Sequence, residues 1–198
     1  MQSRALRALP SAMSILLLST LAGAQDVDVP GNLTMTDSTA TQGNILKAGV
    51  PFIHNFGTGN TFLGSNAGNL TMTGDSNTAT GTQALFFNST GFGNTAGGFE
   101  ALFDNGTGSL NTATGFIALF SNTTGDINTA NGGRALRSNT TGSSNTATGA
   151  QALFSNTSGG GNTANGFNGM RSTSTVLDAD LQQVDQRCSP AGCVRSRA

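Results

Sequence analysis

A block of 17 residues runs head to tail through the middle of this chain, and no other feature restricts its fold as much. From Gly81 the copies read GTQALFFNSTGFGNTAG, GFEALFDNGTGSLNTAT, GFIALFSNTTGDINTAN, GGRALRSNTTGSSNTAT and GAQALFSNTSGGGNTAN. A degenerate copy, NTFLGSNAGNLTMTGDS, precedes them from Asn60, and a truncated GFNGM follows. A unit this short cannot bury an apolar face alone and must borrow its neighbour's, which is the logic of a stacked repeat.

The constant positions say what each turn is made of. Asn77, Asn94, Asn111, Asn128, Asn145 and Asn162 recur, each followed by Thr-Ala. The alanine position holds Phe62 in the degenerate copy, which points it inward, so alternation along a strand turns Thr78, Thr80, Thr112, Thr114, Thr146 and Thr148 outward. Leu85, Leu102, Leu119, Leu136 and Leu153 form a second apolar column, and Phe86, Phe103, Phe120 and Phe154 a third that Arg137 breaks. Glycines at Gly81 and Gly91 and their equivalents mark two corners, where positive φ or close approach is needed. Asn88, Asn105, Asn122, Asn139 and Asn156 fall in register between them, suited to a turn and an amide ladder. The expected fold is all-β, a parallel β-solenoid with one 17-residue coil per layer. Six layers at the interstrand spacing give a rod of about 30 Å. A strand-plus-helix repeat fits less well, since Gly, Asn and Thr are poor helix formers.

Composition agrees with stacking. Between Gly81 and Gly166 the charged residues are Glu100, Asp104, Asp126, Arg134 and Arg137, and none recurs in every copy, where it would repel itself along a column. With nine basic and ten acidic residues overall, there is no electrostatic footprint for nucleic acid.

Residues 1–24 carry Arg4 and Arg7, an apolar run around Met13 to Leu21, and Ala22-Gly23-Ala24, the layout of a cleaved export signal too short to span a membrane. The mature chain is therefore expected to be secreted or at the cell surface, with no membrane span. Residues 25–59 read as a leader or cap, in which Lys47 to Phe56 is expected to plug the first coil. GNLTMT occurs at Gly31 and at Gly68, and both copies read as short strands. The repeat is expected over 60–170. In the tail, 171–198, VLDADLQQVDQR can be drawn as a short helix, and Cys188 and Cys193 read as a local disulfide in an exported chain. The tail reads as an irregular terminus or the product of a truncation or frameshift.

NTATGxxALF with its NTTG turn resembles the head repeats of YadA-like trimeric adhesins, and NTATGAQALFSNTSG and FIHNFGTGNTFLGSNAGNLTMTG carry a more specific likeness. They are closer still to the repeat regions of secreted and tail-fibre proteins that carry an endosialidase-type intramolecular chaperone domain. The resemblance covers about residues 31–170 and implies an elongated homotrimeric surface or fibre segment without catalytic activity. The family's coiled-coil stalk, β-barrel anchor and chaperone domain have no counterpart in this sequence, which reads as a secreted head or a fragment.

Candidate chemistry is sparse. His54 is the sole histidine, read as packed or superficial because no cysteine or acid lies near it in sequence to complete a triad. The acids are scattered, no cofactor or metal motif is present, and no enzyme activity is expected. Sequons at Asn32, Asn69, Asn88, Asn105, Asn122, Asn139 and Asn156 are read as structural turn asparagines in the main. The phenylalanine column is read first as core, then as a subunit interface, then as a sugar platform. Two functions follow: an adhesive module that binds itself as a homotrimer and touches a host surface, matrix or carbohydrate, or an ice-binding solenoid using Thr78, Thr80, Thr112, Thr114, Thr146 and Thr148 as its face.

Overall fold

The computed structural model describes residues 44–171. The export signal, the GNLTMT at Gly31, Asn32, the helix drawn in the tail, and Cys188 and Cys193 lie outside the described residues.

Among the described residues nine short strands make one sheet in chain order: β1 (Ile45–Lys47), β2 (Val50–His54), β3 (Thr61–Leu63), β4 (Thr78–Thr80), β5 (Thr95–Gly97), β6 (Thr112–Thr114), β7 (Thr129–Asn131), β8 (Thr146–Thr148) and β9 (Thr163–Asn165). From β3 to β9 every strand pairs in parallel with the next, and each residue faces the one 17 positions later, as in Thr112↔Thr129 and Ala113↔Ala130. The chain is thus a parallel β-solenoid of 17-residue coils. Asn111 and Asn128 lie one layer apart, the Asn128 N–H donating to Asn111 Oδ1 at 2.9 Å.

Only three residues per coil are strand, yet the layers are bonded around most of the perimeter. Leu102 N–H donates to Ala118 O (3.0 Å), Asp104 N–H to Phe120 O (2.9 Å), Thr107 N–H to Thr123 O (2.9 Å) and Ile127 N–H to Ser109 O (3.0 Å). Such bonds satisfy backbone groups that an irregular coil would leave unpaired.

The interior is narrow. It consists of the middle residue of each strand from β3 to β9, the leucine column from Leu85 to Leu153, and the alanine before each of those leucines, all buried. Phe86, Phe103, Phe120 and Phe154 are only half-buried, so the reading of that column as core is incorrect: two inward alanines and a leucine already fill each layer. The GNLTMT at Gly68 is not a strand either. Asn69 Oδ1 accepts from the N–H (2.9 Å) and hydroxyl (2.7 Å) of Thr71, closing a side-chain turn that competes with a ladder.

The corners differ in kind. Gly115 combines φ 133° with a neighbour so close that a Cβ would stand 2.8 Å from the carbonyl of Gly132. Gly108 has no left-handed φ; there a Cβ would meet Gly125 O at 2.5 Å, so close approach alone demands glycine. Glycine is not the sole source of positive φ, however. Leu85, Leu102, Leu119, Leu136 and Leu153 all lie at φ between 48° and 54°, and Gln83, Glu100, Ile117, Arg134 and Gln151 between 47° and 63°. Each such residue carries a left-handed penalty of about 1–2 kcal/mol, which leucine burial and the interlayer bonds offset.

At the N-terminal end β1 and β2 form a hairpin whose two turn residues, Ala48 (φ 51°) and Gly49 (φ 77°), suit a tight type I′ turn. β2 then pairs antiparallel with β3 and lays His54 on Phe62, with ring centroids 4.8 Å apart. Pairing of this kind covers the edge that β3 would otherwise expose.

Candidate functional site

Each inward column of asparagine is a continuous hydrogen-bonded ladder. In the first, the Asn94 N–H donates to Asn77 Oδ1 (3.0 Å) while Asn94 Nδ2 donates to Gly108 O (2.9 Å), and the pattern repeats through Asn111, Asn128, Asn145 and Asn162. In the second, Nδ2 of Asn105, Asn122, Asn139 and Asn156 donates to Oδ1 of the asparagine one layer before, at 2.7 to 2.9 Å. All five asparagines of the second column, Asn88 included, are fully buried and their Nδ2 groups engaged, so these sequon positions have no amide to offer a glycosyl donor. Buried amides bonded on both sides pin the register of neighbouring layers and make the rod rigid.

Two outward faces remain. On the strand face, threonine fills one position in every layer: Thr61, Thr78, Thr95, Thr112, Thr129, Thr146 and Thr163, all exposed. Two residues on, Thr80, Thr114 and Thr148 alternate with Gly97, Asn131 and Asn165. The six threonines expected to turn outward do so, exposed on a parallel sheet. No charged residue occurs at either position in any layer.

The second face holds flat side chains in a file. Phe86 stacks on Phe103 (5.6 Å, 14°) and Phe103 on Phe120 (5.0 Å, 5°). Arg137 continues the file instead of breaking it, its guanidinium 5.7 Å from the rings of both Phe120 and Phe154, and Arg171 lies 5.6 Å from Phe154 on the far side. A guanidinium is planar and attracted to a ring face, so it substitutes for phenylalanine without interrupting the stack. The alternation was visible in the sequence, but only the geometry shows that the cation belongs to the aromatic column. Phe99 and Phe116 form a second stacked pair (5.5 Å), with Arg134 6.0 Å from the Phe116 ring.

His54 is buried against the first coil. Its Nε2 donates to Ala67 O at 2.7 Å, and its Nδ1 accepts from the Phe56 N–H at 3.4 Å, which fixes a neutral ring. Burial pushes its pKa below the ordinary 6.5 despite the opposing bond to Ala67. A cleft of about 280 Å³ beside it is lined by Pro51, Asn66, Leu70, Phe86 and Phe87 among others. Among the described residues the one other group displaced from its ordinary range is the Asp104 carboxyl, raised by partial burial beside the aromatic file. Among the described residues no three of His, Cys, Asp and Glu lie close enough to hold a metal ion.

The fold and its faces define a class, the parallel β-solenoid with a capped N-terminal coil. No protein-family model matches the chain, nor does any curated protein or solved structure.

Proposed function

We propose that this protein is a non-catalytic extracellular structural and adhesive module, exported by its N-terminal signal and acting as a homotrimeric surface or fibre head. The observation that carries this reading is the contrast between inner and outer positions. Inward and corner residues repeat coil after coil, whereas an outward position passes through Thr82, Phe99, Phe116, Gly133 and Ala150. A scaffold held constant beneath a varied surface suits display, and several weak contacts on one rigid rod add up through multivalency. Sedimentation of the mature protein tests the assembly, with a trimer expected, and adhesion of protein-coated beads to cells and matrix tests the activity. A folded monomer whose beads adhere to nothing would overturn the reading.

A second reading is favoured by the complete threonine column. Hydroxyl and methyl groups repeat about every 4.8 Å along the rod, with a partial second column about 7 Å away across the strand, a lattice suited to ice. Thermal hysteresis of the purified protein decides it; a freezing point equal to the melting point would retire the idea.

A further inference from the structure

We infer that Arg137 and Arg171 form an oxyanion-binding strip for an acidic polysaccharide, which assigns a ligand class to the adhesive reading above and rests on it. Three features of the file lead there. The first is what the file offers to a ligand. Phe103 and Phe120 lie face to face at 5.0 Å and 5°, so their π faces are covered and a sugar ring has no open aromatic platform between them. The groups left for a ligand are ring edges and guanidinium N–H donors.

The second feature is that those donors are unspent. Both neighbours of Arg137 in the file are aromatic, and among the described residues its guanidinium makes no ion pair or hydrogen bond. The same holds for Arg171 over Phe154 and Arg134 over Phe116. A guanidinium positioned by aromatic contacts has less conformational freedom to lose on binding, and its fork of N–H groups matches the paired oxygens of a carboxylate or sulfate.

The third is the charge pattern. Among the described residues from Gly115 upward, this side of the rod carries Arg134, Arg137 and Arg171 and no acid; Glu100 and Asp104 lie on the coil two layers below Arg137. Arg137 and Arg171 are themselves two layers apart, about 10 Å at the interstrand spacing, with Phe154 between them. An extended polysaccharide bearing an anion on every second sugar presents oxyanions at a comparable interval. Ser121, Ser138 and Ser155, each one residue beyond the file and half-buried, stand beside it as partners for sugar hydroxyls.

The test is binding of the mature protein to immobilised hyaluronate, which carries carboxylates, and heparin, which adds sulfates, with neutral dextran as control. Binding to either acidic polymer, weakened by salt and absent on dextran, is expected, and the two arms separate carboxylate from sulfate recognition. Arg137→Phe restores the residue of the neighbouring layers, so it retains the stack and the melting temperature. It should nonetheless bind at least about tenfold more weakly, the loss of a charge-assisted bond. Arg137→Lys, which keeps the charge without the fork, should fall between. Undiminished binding by an Arg137→Phe/Arg171→Gln double variant would overturn the inference. So would preference for single-stranded DNA over both polysaccharides, or salt-sensitive self-association that accounts for the signal. Beads that adhere to cells while the protein ignores both acidic polymers would overturn this assignment and leave the adhesive reading standing; beads that adhere to nothing would end both.

Discussion

The first coil and the coils above it reach the same interior by different residues. Regular coils place alanine at the centre of the strand and leucine six residues later, as in Ala79 and Leu85. The first coil places Phe62 and Gly68 at those positions, both fully buried, and a Cβ on Gly68 would lie 2.7 Å from the Phe62 ring. The large side chain has moved from one wall of the coil to the other. Each layer therefore conserves its total volume, and the residue at any one site is free to change if its partner across the coil compensates.

The strongest way to break this comparison is to exchange one partner without the other. Phe62→Ala should cost about 3–5 kcal/mol, since it empties the layer and removes the surface on which His54 rests. Gly68→Leu alone forces a side chain into the ring. Together the two substitutions rebuild the regular pair, and Gly68 already sits at φ 68°, close to the 54° of Leu85. The double variant should recover most of the stability in a chemical denaturation series. Additive losses would show that layer volume is not the controlling quantity.

The second asparagine ladder sharpens the contrast, because it begins only after the first coil, where Thr71 takes the equivalent position and is exposed. Asn88 is therefore its end, and Asn122 its middle. Asn88→Ala leaves Asn105 Nδ2 bonded to Gly108 O and Gly91 O bonded to Asn77 Nδ2. Asn122→Ala also strips Asn105 Oδ1, buried, of its bond at 2.7 Å. The interior substitution should be worse by about 1–3 kcal/mol, the penalty for a stranded buried acceptor. Equal denaturation midpoints would mean that the ladder is not cooperative in this sense.

The period, the parallel register and the inward alanine, leucine and asparagine columns were legible because each recurs with fixed spacing and each coil can be bonded in one way only. The phenylalanine file was not, because an apolar stripe at repeat spacing looks the same whether it lines a core or stacks on itself outside. Arg137 held the clue: a guanidinium tolerated in every contact of that column does not sit in a sealed interior. Backbone strain was hidden for a related reason. Leucine at a left-handed position reads as an ordinary core residue, and the signal lay in the end coils. Asn66, Gly68 and Asn168, types that accept positive φ, stand where regular coils have Gln83, Leu85 and Gln151.

Strain on the outside of the rod gives a smaller effect. The position held by Ser76 in the first coil and Gly93 in the next is occupied by Leu110 and Ile127 further along, all near φ 60°. Ile127 is 58% exposed, so burial does little to offset its left-handed backbone. Ile127→Gly should stabilise the protein by about 0.5–1 kcal/mol, after allowing for the extra freedom glycine has when unfolded. A lower melting temperature would instead show that the isoleucine side chain contributes packing that outweighs the strain.

The smallest effect belongs to the capped end alone. His54 is neutral when folded, with Nε2 donating to Ala67 O and Nδ1 receiving the Phe56 N–H. Protonation would place a second N–H against that of Phe56 and a charge beside Phe62, which is why burial holds the folded pKa below the unfolded value near 6.5. Above that value neither state is protonated and the contribution of His54 is complete. As the pH falls through it the unfolded chain binds the proton first, and the stabilisation is lost progressively down to the lower folded pKa. The regular coils carry no titratable group inward, so acid should loosen the junction of hairpin and first coil while leaving the rest intact. Amide exchange followed from neutral pH to about pH 5 should accelerate at Phe62 and Ala67, after correction for intrinsic rates, and not at Ala113 or Leu119. His54→Phe, which keeps a ring over Phe62 without a titrating nitrogen, should abolish the difference. If the variant remains equally acid-sensitive, the response arises elsewhere, with Asp104 the next group to test, since its raised pKa brings its own titration toward this range.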